Sequence, residues 1–384
     1  MPLPPRGDKR CAAKKTEIWH DASGDSLSTD RPMISPGFRS SLLILALTIL
    51  SGTESLADDP PLGPGSVTVQ YENDRMANTD RHYTHGTRVG WVSEAMPNDW
   101  SKDTLSWVPE FLSPFMDNGN VYFGVAAGQN IYTPENIAES GLIDTDRPYA
   151  GWLYGQFSLF NARDMDAKPS LEGAYFSELR TLELDLGIVG PQSQAEDAQT
   201  IVHEHINVTR PNGWDHQLKL EPGFVVRASR AVRLRHVSRP SSGARIILDV
   251  IPHIGTSLGN VETMAKVGGL ARIGINTPDD FGLPQIRPSA TGPGYTNTGD
   301  RYKGIYLFTG IEERLVLRNI FLDGNTFADS HSVDSKRFVT DISAGIAVIM
   351  GRLTVAFTHV LRTREFEGQP QSDRFAGLSI NFNL

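Results

Sequence analysis

The sequence predicts an all-β fold: an antiparallel transmembrane barrel of about twelve strands with one short helix in an outer loop. Three observations predict it. Apolar and polar residues alternate with period two in about a dozen separate segments. An export-type leader precedes them, and no later segment approaches the roughly 18 consecutive apolar residues of a membrane-crossing helix. The alternation also runs to the last residue, with Leu378, Ile380, Phe382 and Leu384 on one parity and Ser379, Asn381 and Asn383 on the other. An exported chain without apolar helices can still span a bilayer, provided its strands close and satisfy their own hydrogen bonds.

Residues 1–57 read as an upstream extension and signal peptide, and residues 58–384 as a single barrel domain. Leu42 to Leu50 (LLILALTIL) is apolar, follows Arg39 and precedes Ser55-Leu56-Ala57, which places cleavage after Ala57. The length ahead of this run points to translation starting at Met33, with 1–32 an overcall or an extended n-region. Cys11, the one cysteine, falls in the leader, so residues 58–384 have no disulfide, thiol nucleophile or cysteine metal site. That region holds 29 basic and 39 acidic residues, a net charge of −10 that disfavours nucleic acid as a partner.

The strands follow in order. Val67, Val69 and Tyr71 alternate with Thr68, Gln70 and Glu72; Tyr83, Val89 and Trp91 share a parity opposed to Thr84, Gly86 and Arg88. Val121, Phe123 and Val125 form the next segment, then Leu153, Phe157 and Leu159. In RTLELDLGIV, Leu182, Leu184, Leu186 and Ile188 face one way and Glu183 and Asp185 the other. A soluble sandwich would bury the leucines and a membrane barrel would expose them; the pattern alone permits both. Further segments fall at 214–230, 245–256, 261–275, 302–317, 338–350, 353–361 and 375–384, which makes twelve, an even number as in bacterial barrels.

With strand one rising from the periplasm, the loops 74–82, 132–148, 190–213, 318–336 and 362–374 open on the outer side and bring their polar clusters to one rim. The connections 95–118 and 276–301 on the other side are expected to be turns, short helices or a partial plug.

The loop after strand five carries the helix. Ser193-Gln194-Ala195-Glu196 has capping-box spacing; Ala195, Ala198 and Val202 make an apolar stripe; His203 shares a face with Gln199 and Glu196. His205 lies about 200° away from His203, so the pair is ill placed to grip one metal. Between the first two strands, Asn73, Asp74, Asn78, Asp80, Arg81 and His82 crowd a short loop. Asn and Asp there serve a hairpin's backbone as readily as they serve a ligand.

Taken in order, ENDRMANTDRHYTHG, QNIYTPENI, DTDRPYAGW, GIVGPQSQAEDAQTIVHEHI, NGWDHQL and RNIFLDGNTFADSHSVD resemble the outer-membrane lipid A 3-O-deacylase family across nearly all of residues 58–384. The resemblance implies a twelve-stranded barrel that hydrolyses the 3-linked acyl ester of lipid A in lipopolysaccharide. Its site lies between the wall and a loop helix, with calcium (Ca2+) stabilising the oxyanion and a histidine activating water. By motif position it implies that Asn73 and Asp74 are the essential pair and metal ligands, Thr84 the threonine of the next strand and His203 the general base. Six positions after that histidine, where one member of the family carries an acidic residue, this chain has Thr209. The expected partners are lipopolysaccharide and outer-membrane lipid, with the chain a monomer in the outer membrane.

The residue types suit that chemistry. Ester hydrolysis needs a polarised carbonyl, an activated water and a home for the tetrahedral oxygen. Asp and Asn offer the hard oxygens calcium prefers, and imidazole exchanges protons near neutrality. Lipid A is anionic, so Arg81 and Arg147 of the two Thr-Asp-Arg tripeptides are the candidate phosphate contacts, although each Asp-Arg pair also suits a loop lock. Asp323, Asn325, Asp329 and His331 read as a polar loop, and Tyr132 and Tyr149 as interface aromatics. A non-catalytic porin or adhesion barrel, and a serine enzyme using Ser193, are the competing readings.

Overall fold

The computed structural model describes residues 65–77, 79, 81–96, 119–166, 172–238, 245–282 and 303–384. The leader, its cleavage site, Asn78, Asp80 and most of the connections 95–118 and 276–301 lie outside them.

Twelve antiparallel strands close into a barrel in sequence order, the last pairing with the first. They are β1 (Ser66–Asn73), β2 (His82–Val92), β3 (Asn120–Thr133), β4 (Ala150–Asp164), β5 (Gly173–Val189) and β6 (Glu221–Ser238). β7 (Ile246–Gly259), β8 (Glu262–Ile275), β9 (Lys303–Asn319), β10 (Phe338–Met350), β11 (Leu353–Arg362) and β12 (Asp373–Asn383) complete the ring. Closure pairs Ser66–Asn73 with Asn383–Ala376, so no edge is left open. Helix α1 (Ala195–His205) sits in the β5–β6 connection and the single turn α2 (Ile320–Asp323) in β9–β10.

The wall is inverted relative to a soluble protein. Leu153, Phe157, Leu186, Phe224, Ile254, Leu307 and Ile311 are exposed on its outer surface, while Gln70, Glu72, Asp185 and Asp249 are buried in the lumen. The RTLELDLGIV strand is thereby resolved: its leucines point out, and Asp185 points in to Gln156 and Arg227. Polar side chains cross-link the lumen, including Arg88 with Gln70, Lys266 with Glu312, and Arg314 and Arg362 with Asp341. Pairing offsets the cost of their desolvation.

Connections β1–β2, β3–β4, β5–β6, β7–β8, β9–β10 and β11–β12 share one end, the upper rim. Both chain ends of the barrel lie at the other. There the described start of the β8–β9 connection turns inward as a partial plug: Asp280 pairs with Arg272, Asp279 with Arg233, and Phe281 is buried.

Two local expectations are corrected. The helix has no capping box: Pro191–Ser193 forms a separate 3-10 turn, Gln194 is the N-cap in a left-handed conformation, and Ser193 Oγ donates to the Gly190 carbonyl instead (2.6 Å). β2 does not alternate cleanly, because a bulge lies between Tyr83 and His85. One extra residue reverses the parity, so Tyr83 faces the lumen and donates to Glu72, whereas Val89 and Trp91 face out.

Candidate active site

The site begins where β1 stops. Asn73 ends the strand on its outer parity, and its Nδ2 donates to the Thr84 carbonyl (2.8 Å), tying β1 to the bulge. Its Oδ1 accepts from the Arg75 amide (2.9 Å), starting the 3-10 turn Arg75–Ala77. Asp74 is 1% exposed; its carboxylate accepts from the Arg81 amide (2.5 Å) and its carbonyl from the Ala77 and Thr79 amides. The Asn-Asp pair therefore staples the whole β1–β2 turn. The bulge takes Thr84 out of step with Gly86 and Arg88, and its hydroxyl meets that of Thr133 at 2.7 Å.

His85, just past the bulge, keeps the outward parity of Val89 and Trp91, a position the sequence analysis had not singled out. It pairs in register with Asn73 on one side and Ile131 on the other, and Ile131 pairs with Gly151. These four form one outer-face row at the upper rim. In the row below stand Tyr71, Thr87, Gln129 and Leu153. His85 Nε2 is 2.7 Å from Thr87 Oγ1 and its ring meets Tyr71 edge-on at 5.0 Å. Lower on the same strands the outer positions are Val69, Val89, Trp91 and Val125. A polar window thus interrupts the apolar outer face of these strands.

Helix α1 leans on the end of this window, against β3 and β4. Ala195 packs with Ile131, Tyr149 and Trp214, and Gln129 Nε2 donates to the Ser193 carbonyl (2.7 Å). Gly151 makes the seat: a Cβ there would collide with Ser193 and Ala195. Ala195, Gln199 and His203, spaced by four, form the buried face, with Gln199 taking the Trp214 indole N–H at 3.0 Å. His203 therefore faces inward at 3% exposure, while His205 is exposed and bonded within its own helix. His203 Nδ1 lies 2.6 Å from the Thr209 carbonyl. A carbonyl only accepts, so Nδ1 carries a proton and the neutral ring has its lone pair on Nε2. Ser193 is fully buried and hydrogen-bonded to Gly190, roughly three helical turns from His203; the Ser-His reading fails.

Above the row the loops are locked by buried charge. His82, at φ 63°, places Nδ1 2.7 Å from Asp373 and Nε2 3.4 Å from Asp146. Asp146 also accepts from the Glu135 and Arg147 amides. Burial alone would raise its carboxyl; His82 and these amides hold it below the usual range. Arg147, expected at a phosphate, is instead 1% exposed: it pairs with Glu365 (3.2 Å), bonds the Phe321 carbonyl and covers the Tyr132 ring. Burial likewise opposes ionisation of Glu365, and Arg362 and Arg147 reverse the balance. Arg81 joins Glu135 and Asp373 across two other loops with its side chain 12% exposed. The Thr-Asp-Arg arginines thus lock neighbouring loops.

The remaining candidates are structural. Asp323 receives the Asn319 amide, Asn325 bonds Lys219 and Glu221, His331 meets the Asp146 carbonyl, and Asp329 is exposed. Tyr132 stacks on Phe321 within the lumen and Tyr149 lies under α1 against Trp214, so neither is an interface aromatic. Among the described residues no three His, Cys, Asp or Glu side chains converge as a metal cage. Asn73 and Asp74 carry the kind of oxygen donors a hard cation takes, and here Asn73 Oδ1 and one Asp74 oxygen accept from the Arg75 and Arg81 amides.

The profile of the outer membrane protein LpxR family matches residues 42–384. The chain belongs to the LpxR family. Among solved structures, LpxR from Salmonella typhimurium is similar over 83% of this chain and 100% of its own, with a TM-score of 0.62 at 16% identity. That likeness shows a shared barrel fold. The translocator domain of the autotransporter NalP from Neisseria meningitidis aligns at 10% identity over 90% of this chain and 96% of its own, with a TM-score of only 0.35. A search of curated protein sequences finds no match. LpxR family membership makes the apolar outer wall the face that meets outer-membrane lipid.

Proposed function

We propose that this LpxR-family barrel is an esterase that removes the 3-linked acyl chain of lipid A in the outer leaflet. The observation that carries the reading is the polar window beneath α1. Tyr71, Asn73, His85, Thr87 and Gln129 occupy outward positions in the two uppermost rows of the wall, beside α1, where a polar cluster can meet the ester linkages of a leaflet lipid. An ester of the surrounding leaflet reaches this window sideways, without entering the lumen.

In this reading His203 Nε2 takes a proton from water as the resulting hydroxide attacks the ester carbonyl. Collapse of the tetrahedral intermediate breaks the bond to the sugar oxygen, which recovers the proton from His203, and the acyl chain leaves as a fatty acid that gives its remaining proton to solvent. The Thr209 carbonyl stabilises the imidazolium through Nδ1, so a backbone oxygen takes the part that the resemblance gives to an acidic side chain. Thr84 positions water or substrate. Asn73 and Asp74 would hold calcium, which when bound supplies a Lewis acid for the carbonyl oxygen. Arg81, with its partly exposed side chain, is retained as the phosphate contact; Arg147 is not.

The paired lumen charges and inward-folded plug count against a porin. Purified protein incubated with lipid A in detergent tests the proposal. Release of the 3-linked acyl chain, abolished by chelation and restored by calcium, is expected; no release under any condition would rule it out.

A further inference from the structure

Far below the window, the outer surface of β4–β6 carries a second departure from the apolar wall. Arg163, Glu178, Arg180 and Arg230 all lie on the outward parity, and above them on the same strands the outward positions include Phe157, Leu182, Leu186 and Phe224. Arg180 pairs in register with Asn161 and Arg230, and Arg163 with Glu178. Glu178 is fully buried beneath the cluster, contacted by Arg163, Arg230 and, at 3.2 Å, Arg180. The arginine side chains stay 28%, 25% and 53% exposed in the order 163, 180, 230. By contrast, the outward positions of β7 and β8 hold no charged residue.

Depth decides what faces this cluster. Glu178 lies eleven residues before Val189 at the upper end of β5. At about 3.4 Å per residue and a tilt of about 40°, that is roughly 25–30 Å below the upper rim, close to the height of a barrel's apolar band. Charge there sits at the headgroup level of the leaflet nearest the chain termini, where its desolvation cost is small. One carboxylate among three guanidiniums aligns them and leaves a formal charge of +2 across the four groups. Two guanidiniums on paired strands suit the oxygens of a phosphodiester.

We propose that Arg163, Arg180 and Arg230, aligned by Glu178, bind the phosphate of an anionic glycerophospholipid in the periplasmic leaflet. This site does not depend on the deacylase reading. The test is native mass spectrometry of the full chain in detergent, equilibrated with phosphatidylglycerol or with phosphatidylcholine of the same acyl chains. Wild type should retain phosphatidylglycerol roughly tenfold more strongly, and Arg180→Gln/Arg230→Gln should lose that preference. If the double variant does not fold, Arg230→Gln alone, at the most exposed of the three, should lose part of it. Equal retention of both lipids, or an unchanged preference in the folded variants, overturns the proposal. Full displacement of the lipid by millimolar inorganic phosphate overturns the lipid assignment in favour of a free-phosphate site.

Discussion

His203 donates through Nδ1 to the backbone carbonyl of Thr209 at 2.6 Å, so the ring's tautomer is set by the main chain. Its Nε2 is left as the acceptor on the face of α1 that meets the wall. Removing the imidazole with His203→Ala should lower turnover by roughly 10²–10⁴-fold, the usual contribution of a general base. Thr209→Ala keeps the carbonyl and should stay within about threefold of wild type. Steady-state acyl release by both variants checks this; a Thr209→Ala loss as large as that of His203→Ala would show that the side chain matters after all.

Gly151 is the seat of α1, and Gly151→Val would push the helix off β4. Displacement of about 1 Å is enough to cost on the order of a hundredfold in rate. The barrel should remain folded, which heat-modifiable gel mobility reports. Full activity in this variant would mean that α1 does not set the position of His203.

Most of the architecture was legible in the sequence, because period-two alternation depends only on near neighbours. Twelve strands and a shared rim for the polar loops follow from it, while the loop helix was legible from the spacing of Ala195, Ala198 and Val202 and not from the capping box, which is absent. The bulge at Thr84 was not legible: an extra residue in β2 is defined by its partner strand, and it reversed Tyr83. Nor was the fate of Arg147 visible, since its partner Glu365 lies 218 residues away. Asn73, Asp74 and His203 rested on motif position; the structure adds what each of them touches.

Arg147 and Glu365 are a buried pair, so deleting one partner strands the other. Arg147→Met should destabilise the loop cap by roughly 3–5 kcal/mol and raise its protease sensitivity, while leaving the KM for lipid A unchanged if Arg147 serves structure alone. A rise in KM with an intact cap would restore Arg147 as a substrate contact.

The cap should also respond to acid. Asp146 and Glu365 are held below their ordinary pKa values in the folded protein, so each stabilises the fold above its unfolded value. That contribution is present above about pH 4–5 and is lost as pH falls through the depressed folded values. Limited proteolysis of the upper loops across pH 3–7 should show protection that is flat near neutrality and falls only at the acidic end. Protection that falls between pH 7 and 6 would point to another group.

Mass spectrometry of lipid A from cells that make wild-type protein, His203→Ala or neither is the most direct test of the central claim. The account predicts loss of the 3-linked acyl chain with wild type only, at equal amounts of folded barrel. Identical lipid A in all three would contradict it.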